Sequence, residues 1–367
     1  MKPDAEDYLR GIMSGESRGI AAGAARAGLS LIESVYAGAM MMRNRLYDIG
    51  ALRSVRLERP VISVGNLTAG GTGKTPMVRW LASHLRDQGR TAAILSRGYK
   101  SAGGQPGDEQ RMLDQLLNAP GASPVVLKAN PNRQEAARQA TAENSRIDVF
   151  LLDDAFQHRR IQRELDIVLL AATDPFGYGH VLPRGMLREP LAGLGRAGAV
   201  VITHADCASE DQARAIEQRV RAFNPSCPIY RAMHAHAGLR YAATPAAAPP
   251  DMPMEELHSR RFFAFCGIGN PRLFSRQLEA YGPQYVGRQW FADHHRYTAK
   301  DLAALRAQAA QAGAEELVTT EKDWVKIAGL ADAEADRLRI LRIDVRMRFN
   351  ETDSGRLIAQ IRRVIGD

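Results

Sequence analysis

The chain contains 367 residues, of which 45% are hydrophobic and 25% are charged, a composition typical of globular proteins and a length that exceeds a single hydrophobic core. Its formal net charge of +8 favours an acidic partner, but the sequence has no lysine-rich tail, no zinc finger and no aromatic-and-basic RNA-binding pattern, which argues against nucleic acid. The three cysteines are widely separated and lack metal-binding spacing, which argues against a disulfide framework and favours a reduced compartment.

The N-terminal segment, residues 1–50, is predicted to be helical. Its opening MKPDAEDYLR lacks the basic and apolar pattern of a cleaved signal peptide. The stretch Gly19–Met42 is largely apolar, but Arg26 and Glu33 interrupt it and make it a poor membrane-spanning helix. It is better suited to an amphipathic helix, which lies in a membrane interface, packs on its own domain, or does both with different parts of its surface. The apolar positions at helical spacing are Leu29, Ile32, Val35, Tyr36, Ala39 and Met40.

Short β-rich runs alternate with helical runs after this segment, which predicts an α/β fold with a largely parallel sheet and flanking helices. Several runs are apolar at consecutive positions, as expected when helices cover both faces of the sheet. The predicted strands are Val61–Val64, Thr91–Leu95, Pro124–Leu127, Ile147–Leu152, Asp166–Leu170 and Ala199–Thr203.

An alanine- and proline-rich stretch, residues 235–258, predicts an inter-domain linker. It separates a phosphate-loop domain, residues 51–234, from a smaller second α/β domain, residues 259–367. The last segment, Ser354–Ile365, is predicted to be a closing helix.

A glycine-rich loop, NLTAGGTGKTP, lies between a predicted strand and a predicted helix, the order that a nucleotide-binding phosphate loop requires. Backbone N–H groups of such a loop turn toward phosphate oxygens, Lys74 reaches the β and γ phosphates, and the Thr75 hydroxyl is suited to Mg²⁺. The usual pattern has glycine where Thr68 stands, so the start of the loop is limited to backbone conformations that a β-branched residue tolerates. The predicted nucleotide-binding residues are Thr68, Ala69, Gly70, Gly71, Thr72, Gly73, Lys74 and Thr75.

The stretch VVITHAD, Val200–Asp206, bears on the choice between ATP and GTP. It ends a predicted strand where guanine-binding proteins often have an Asn-Lys-x-Asp sequence. Thr203 and His204 replace its first two residues, which argues against guanine specificity. Asp206 is equally consistent with a loop or helix-capping residue.

Two adjacent aspartates, Asp153 and Asp154, follow the apolar run Ile147–Leu152. Because burying unpaired carboxylates is costly, one or both are predicted to meet Mg²⁺ directly or through water, the alternative being a solvated turn. His158 and Arg159 follow closely and are candidates for binding phosphate or orienting the acids, although His158 is equally consistent with a structural role.

Three further polar stretches are candidates for the chemistry. GGQPGDEQ contains Asp108, and VLPRGMLREPL contains Arg184, Arg188 and Glu189 among apolar residues. Arg188 is suited to stabilising a transferring phosphoryl group and Glu189 to the surroundings of the metal.

The third stretch, FADHHRYT, brings together Asp293, His294 and His295 in the second domain. A zinc site lacks a third protein ligand at recognisable spacing. A histidine and carboxylate dyad across the domain cleft and a plain surface turn both remain open.

Taken together, these stretches resemble the tetraacyldisaccharide 4'-kinase (lipid A 4'-kinase) family over most of the chain. The resemblance rests on SVGNLTAGGTGKTP, LSRGY, GDEQ, LDDAFQHRR, LPRGMLREPL, FCGIGNP, FADHHRYT and TTEKD, in the order in which the family has them. Thr68 is itself what the family has at this position.

The resemblance implies an ATP- and Mg²⁺-dependent kinase that phosphorylates the 4'-hydroxyl of an acylated glucosamine disaccharide 1-phosphate and forms lipid IVA. It implies Asp108 as the catalytic base, aided by His294, with His295 a less favoured substitute. It also implies phosphate contact for Arg188, and metal and phosphate roles for Thr75, Asp153, Asp154 and Glu189. The expected location is the cytoplasmic face of the bacterial inner membrane, as a peripheral monomer on an anionic surface.

Two alternatives from other classes remain. A nucleotide-dependent regulatory or metallochaperone-like switch would need no base to activate an acceptor, and a kinase of a soluble metabolite would need no membrane-associating helix.

Overall fold

The computed structural model describes residues 5–98, 107–118, 123–241, 251–269, 271–293, 295–330 and 338–366. Helices and strands alternate along these residues. The helices are α1 (Ala5–Ser14), α2 (Ile20–Asp48), α3 (Lys74–Asp87), α4 (Asp108–Leu117), α5 (Arg133–Glu143), α6 (Glu210–Phe223), α7 (Pro271–Glu279), α8 (Ala299–Gln311), α9 (Glu321–Ile327) and α10 (Glu351–Ile365). The strands are β1 (Val61–Asn66), β2 (Ala92–Ser96), β3 (Val126–Ala129), β4 (Val149–Asp153), β5 (Leu165–Ala171), β6 (Ala199–Thr203), β7 (Ile229–Tyr241), β8 (Phe262–Cys266), β9 (Tyr285–Trp290), β10 (Glu316–Thr320) and β11 (Ile340–Phe349).

The chain folds into two compact units. The first is built from Met1–Lys74, Asp148–Met233 and Phe349–Asp367, and the second from Thr75–Ile147 and His234–Arg348. This division differs from the predicted domain boundaries, because the segment that follows the phosphate loop belongs to the second unit. Strand β7 also continues to Tyr241, inside the segment predicted to be a linker.

Parallel strands in the order β4-β1-β5-β6-β7 form the sheet of the first unit. Strands β1, β4 and β6 are buried at every position, which confirms that their runs of consecutive apolar residues are covered on both faces. The register sets Val64 beside Asp153, so the end of β4 lies next to β1 just before the phosphate loop. The strand order thereby brings the first aspartate to the start of this loop.

The second unit contains two groups of parallel strands. Strand β2 pairs with β3, and a separate run has the order β11-β10-β8-β9. Aromatic and aliphatic side chains, including Phe262, Phe265 and Trp324, fill the cores on this run of strands. The predicted α/β class with a largely parallel sheet is confirmed in both units.

Helix α2 is amphipathic, as predicted, and packs on the first unit through Tyr36 and Ala37. The side chains of Leu31, Val35 and Met42 are more than half exposed. No helix among the described residues is long and apolar enough to cross a membrane.

Candidate active site

The glycine-rich loop joins β1 to α3, as the sequence predicts. Gly73 has a φ of 83°, a left-handed conformation that disfavours other residues, and Lys74 is the first residue of the helix. The Lys74 Nζ atom lies 3.3 Å from Asn66 Oδ1, and the Asn66 amide donates a hydrogen bond to the Thr68 carbonyl at 2.7 Å. The loop therefore turns into the N-terminus of a helix, where backbone N–H groups favour anions.

The start of the loop is held by a second segment, residues 181–188. Thr68 forms an antiparallel bridge with Leu187, and the Ala69 N–H donates to the Met186 carbonyl at 2.7 Å. The Arg188 N–H donates to the Leu67 carbonyl at the same distance. A β-branched residue is well suited to this extended, strand-like pairing, which gives the physical reason for threonine where the usual pattern has glycine.

Asp154 lies at the centre of a charged cluster beside the loop, together with Lys74 and Arg188. Its Oδ1 atom accepts a hydrogen bond from Arg188 Nη1 at 2.8 Å and lies 3.5 Å from Lys74 Nζ. Burial alone would raise the pKa of Asp154, but Lys74 and Arg188 outweigh it and hold the pKa below its ordinary value. The carboxylate is therefore ionised at neutral pH, and the two cations converge on one point.

The backbone of Asp154 is left-handed, with a φ of 49°, which is uncommon for a residue other than glycine. Asp153, by contrast, is the last residue of strand β4 and is buried. The two neighbours thus differ: the buried Asp153 continues the strand, and the part-exposed Asp154 turns out of it to meet the cations.

The predicted base belongs to the second unit. Asp108 is the first residue of α4, and His294 lies outside the described residues. The His295 ring is stacked on Phe291 with centroids 4.5 Å apart, and its Nε2 atom lies 3.3 Å from Asp301 Oδ2. These contacts occupy His295 and favour a structural role for it.

Comparison with known proteins identifies the family. Residues 25–365 match the family model described as tetraacyldisaccharide-1-P 4'-kinase, LpxK. The chain belongs to this family. The tetraacyldisaccharide 4'-kinase of Anaeromyxobacter sp. (strain K) is 41% identical over 340 residues, which cover 88% of this chain and 87% of the relative. The corresponding protein of Halothermothrix orenii is 34% identical over 351 residues, 89% of this chain and 90% of that protein.

A solved structure supports the same conclusion. LpxK from Aquifex aeolicus in complex with ATP is 28% identical and superposes with a TM-score of 0.71, covering 93% of this chain and 99% of that one. The resemblance drawn from the sequence motifs is thus confirmed, and the protein is a kinase.

In this kinase Glu189 does not have the surroundings of a metal ligand. Its carboxylate is fully buried and accepts hydrogen bonds from Arg196 at 2.8 and 2.9 Å, from Gln157 at 3.0 Å and from Asn44 at 2.8 Å. Four donated bonds satisfy both oxygens, so we assign Glu189 a structural role. The predicted metal role gains no support from these contacts.

Two arginines singled out in the sequence contact the N-terminal helices. Arg159 donates to the Asn44 carbonyl at 2.9 Å and pairs with Asp48 at 2.7 Å, and Arg184 donates to the Met13 carbonyl at 2.8 Å. Both side chains thereby contact the N-terminal helices.

Thr203 and Asn66 support the phosphate loop, a role that the sequence did not predict. The Thr203 hydroxyl donates to the Thr72 carbonyl at 3.0 Å, so the VVITHAD stretch buttresses the phosphate loop from strand β6. The adjacent His204 is buried, which lowers its pKa and disfavours a charged ring. For Asn66 the sequence does offer a signal of this role, because a polar residue stands at the end of an apolar strand. The structure shows that its side chain is buried.

Proposed function

We propose that this kinase transfers the γ-phosphoryl group of ATP to the 4'-hydroxyl of a tetraacylated glucosamine disaccharide 1-phosphate, with lipid IVA as the product. The convergence of Lys74 and Arg188 beside the phosphate loop is the observation that carries the proposal. Negative charge on the transferring phosphoryl oxygens needs such cations, and Asp154 holds both of them ready. Phosphate oxygens then replace part of the carboxylate's interaction with each cation.

In the proposed reaction the 4'-oxygen forms a bond to the γ-phosphorus while the bond from that phosphorus to the β,γ-bridging oxygen breaks, and ADP leaves. The hydroxyl proton passes to the carboxylate of Asp108, and His294 keeps that carboxylate ionised and aligned. Because the transition state of phosphoryl transfer is loose, the base mainly orients the hydroxyl and accepts its proton late. These two assignments rest on the family motifs GDEQ and FADHHRYT.

Mg²⁺ is part of the proposal, with the Thr75 hydroxyl and Asp153 or Asp154 as the protein groups that would hold it. No group of three or more His, Cys, Asp or Glu side chains suited to a metal occurs in the described part of the chain. A sparse donor set fits Mg²⁺, which usually takes one or two carboxylates together with substrate phosphates and water. The bound ion would neutralise phosphate charge.

We further propose a peripheral location at the cytoplasmic face of the bacterial inner membrane, with the protein acting as a monomer. Leu31, Val35, Met42 and Ile49 of the α2 region are 60 to 75% exposed and recur along one face. An apolar face of this kind binds at the level of the lipid headgroups, and the net positive charge favours an anionic surface.

The test incubates the purified protein with γ-labelled ATP, Mg²⁺ and the tetraacyl disaccharide 1-phosphate in detergent micelles. We expect labelled lipid from the wild type and none from Asp108→Ala, with ATP binding retained. Asp114→Ala is the matched control, because this carboxylate lies on the same helix and accepts a solvent-exposed hydrogen bond from the side chain of Asn118.

Normal turnover by Asp108→Ala would refute the assigned base. ATP binding by the wild type without labelled lipid would favour the nucleotide-dependent switch, and transfer to a soluble sugar in preference to the lipid would favour a metabolite kinase. For the membrane role, Val35→Asp with Met42→Asp is expected to reduce co-sedimentation with vesicles of anionic phospholipid. Undiminished co-sedimentation would contradict that role.

A further inference from the structure

One face of helix α2 is bonded along its length to the segment that carries Arg188. The Glu33 carboxylate accepts from the Val181 N–H at 2.8 Å and lies 3.0 Å from His180 Nδ1. The Tyr36 hydroxyl donates to the Arg188 carbonyl at 3.0 Å, and the Asn44 amide donates to Glu189 Oε2 at 2.8 Å. Glu33, Tyr36 and Asn44 recur at helical spacing, so they share one side of the helix.

The peptide groups of Arg188 are therefore fixed from two directions. Its N–H donates to Leu67 at the start of the phosphate loop, and its carbonyl accepts from Tyr36. Its side chain leaves this fixed backbone and reaches Asp154. A long arginine side chain pays a smaller entropic cost for holding one geometry when its backbone is already immobile.

The next residue reinforces the arrangement. The buried Glu189 carboxylate joins Asn44 of α2 to Arg196 and Gln157. Gln157 in turn donates to the Asn66 carbonyl at 2.9 Å, and Arg43 of α2 donates to the Gln157 carbonyl at 2.8 Å. Helix α2 is thereby connected to both ends of the cluster, to Arg188 and to Asn66, the partner of Lys74.

We propose that helix α2 is a positioning element of the phosphate-binding site, in which the Tyr36 hydroxyl and the Asn44 amide hold Arg188 in register with Asp154 and with the transferring phosphoryl group. Tyr36 and Asn44 are positioning residues and touch no substrate. This inference rests on the proposed phosphate contact of Arg188. It gives α2 a part in the chemical step that is separate from any contact of its exposed face with lipid.

The decisive experiment is a double-mutant cycle between Tyr36→Phe and Arg188→Ala. For each variant we would measure kcat and KM for ATP in detergent micelles. The affinity for a fluorescent nucleotide and the midpoint of thermal unfolding would be measured beside them. Tyr36→Phe removes one neutral hydrogen bond and keeps the ring, so we expect about a three- to tenfold lower kcat/KM, mostly in kcat. In the Arg188→Ala background the same change is expected to have no further effect, because Tyr36 acts through Arg188.

Tyr47→Phe is the matched control. This tyrosine lies on the same helix, where its ring meets Arg43 and Arg159 at 5.4 and 5.0 Å, contacts that phenylalanine keeps. We expect its kinetics to equal those of the wild type. Asn44→Leu provides a second variant, expected to lower kcat in the same direction and also to lose its effect in the Arg188→Ala background.

The outcomes separate the two levels of the proposal. If Arg188→Ala has normal kinetics, the phosphate role of Arg188 fails and the positioning role fails with it. If Arg188→Ala is impaired but Tyr36→Phe behaves like Tyr47→Phe, only the positioning role is overturned. Equal effects of Tyr36→Phe in the two backgrounds would identify a structural contribution and would also overturn it.

Discussion

Two clusters of arginine and aspartate in this protein have the same chemistry and opposite accessibility. In the first unit Asp154 is 40% exposed at its side chain and meets Arg188 and Lys74. In the second unit Asp344 and Arg240 are both fully buried, with Nη2 and Oδ2 only 2.6 Å apart. An ion pair open to solvent can exchange a partner for phosphate or Mg²⁺, whereas a pair closed to solvent cannot. Accessibility, more than residue type, therefore separates the proposed phosphate-binding cluster from the structural one.

The dry pair is where we expect the largest loss of stability. Asp344→Ala leaves the buried Arg240 guanidinium without its carboxylate, so the free energy of unfolding should fall by about 3 to 5 kcal/mol. Urea denaturation followed by tryptophan fluorescence measures it, because Trp80, Trp290 and Trp324 all belong to the second unit. The control is Glu256→Ala, which removes a part-exposed pair with Arg260 at 3.7 Å and should cost less than about 1 kcal/mol. Equal losses from the two variants would contradict the comparison.

The open cluster is where we expect a loss of rate with little loss of stability. Lys74→Ala removes a cation that we propose contacts phosphate, and kcat should fall by about 10²- to 10³-fold while the unfolding midpoint stays near that of the wild type. The labelled-ATP assay measures the rate. Lys128→Ala is the control, because Lys128 of β3 pairs with Glu143 of α5, and this variant should keep full activity. A large drop in stability for Lys74→Ala would place its cluster with the structural pairs.

A third ion pair, Glu321 with Arg79, extends the comparison of buried and open pairs to the dependence of stability on pH. Burial raises the pKa of Glu321 to about 7, although Arg79 at 3.5 Å opposes the shift, and Asp344, Arg342 and Arg240 also face it. Because the folded-state pKa lies above the unfolded value, its contribution to stability is fully present below about pH 4.5 and is lost as the pH rises through about 7.

The prediction is that Glu321→Gln gains stability relative to the wild type between pH 5 and pH 8, by at most about 3 kcal/mol. Urea titrations across that range measure the difference. Glu135→Gln, on the surface of α5 beside Arg138, is the control for the removal of a carboxylate outside the core. A constant difference in stability between Glu321→Gln and the wild type across this range would show that Glu321 does not titrate in it.

The strands β1 to β6 were predictable because buried strands of a parallel sheet have apolar residues at consecutive positions. The run Ala199–Thr203 has the same bounds in the structure, and the predicted Ile147–Leu152 becomes Val149–Asp153. Strand β7 was not predicted, because the alanine- and proline-rich stretch predicted to be a linker begins at Ala235, inside the strand.

The site was predictable as a set of residues but not as a set of contacts. The local pattern of the phosphate loop is sufficient to predict Lys74. Arg188 and Asp154 were predicted as separate candidates, without their contact to each other. Glu189 was predicted to lie in the surroundings of the metal because it is a carboxylate among apolar residues in a family motif, and its hydrogen-bond partners could not be read from the sequence. Its partners Asn44 and Gln157 are distant in sequence, and only the folded chain brings them together.

The pairing of Thr68 with Leu187 has a consequence for compounds that compete with the nucleotide. A glycine at the start of the loop would let the whole turn adapt to the shape of an inhibitor, whereas a strand-like bridge clamps the first part and leaves adaptability to the stretch from Gly70 to Gly73. A selective inhibitor should therefore be rigid where it faces Leu67–Ala69, since this part of the loop has a fixed shape. Its flexible groups should face the stretch from Gly70 to Gly73.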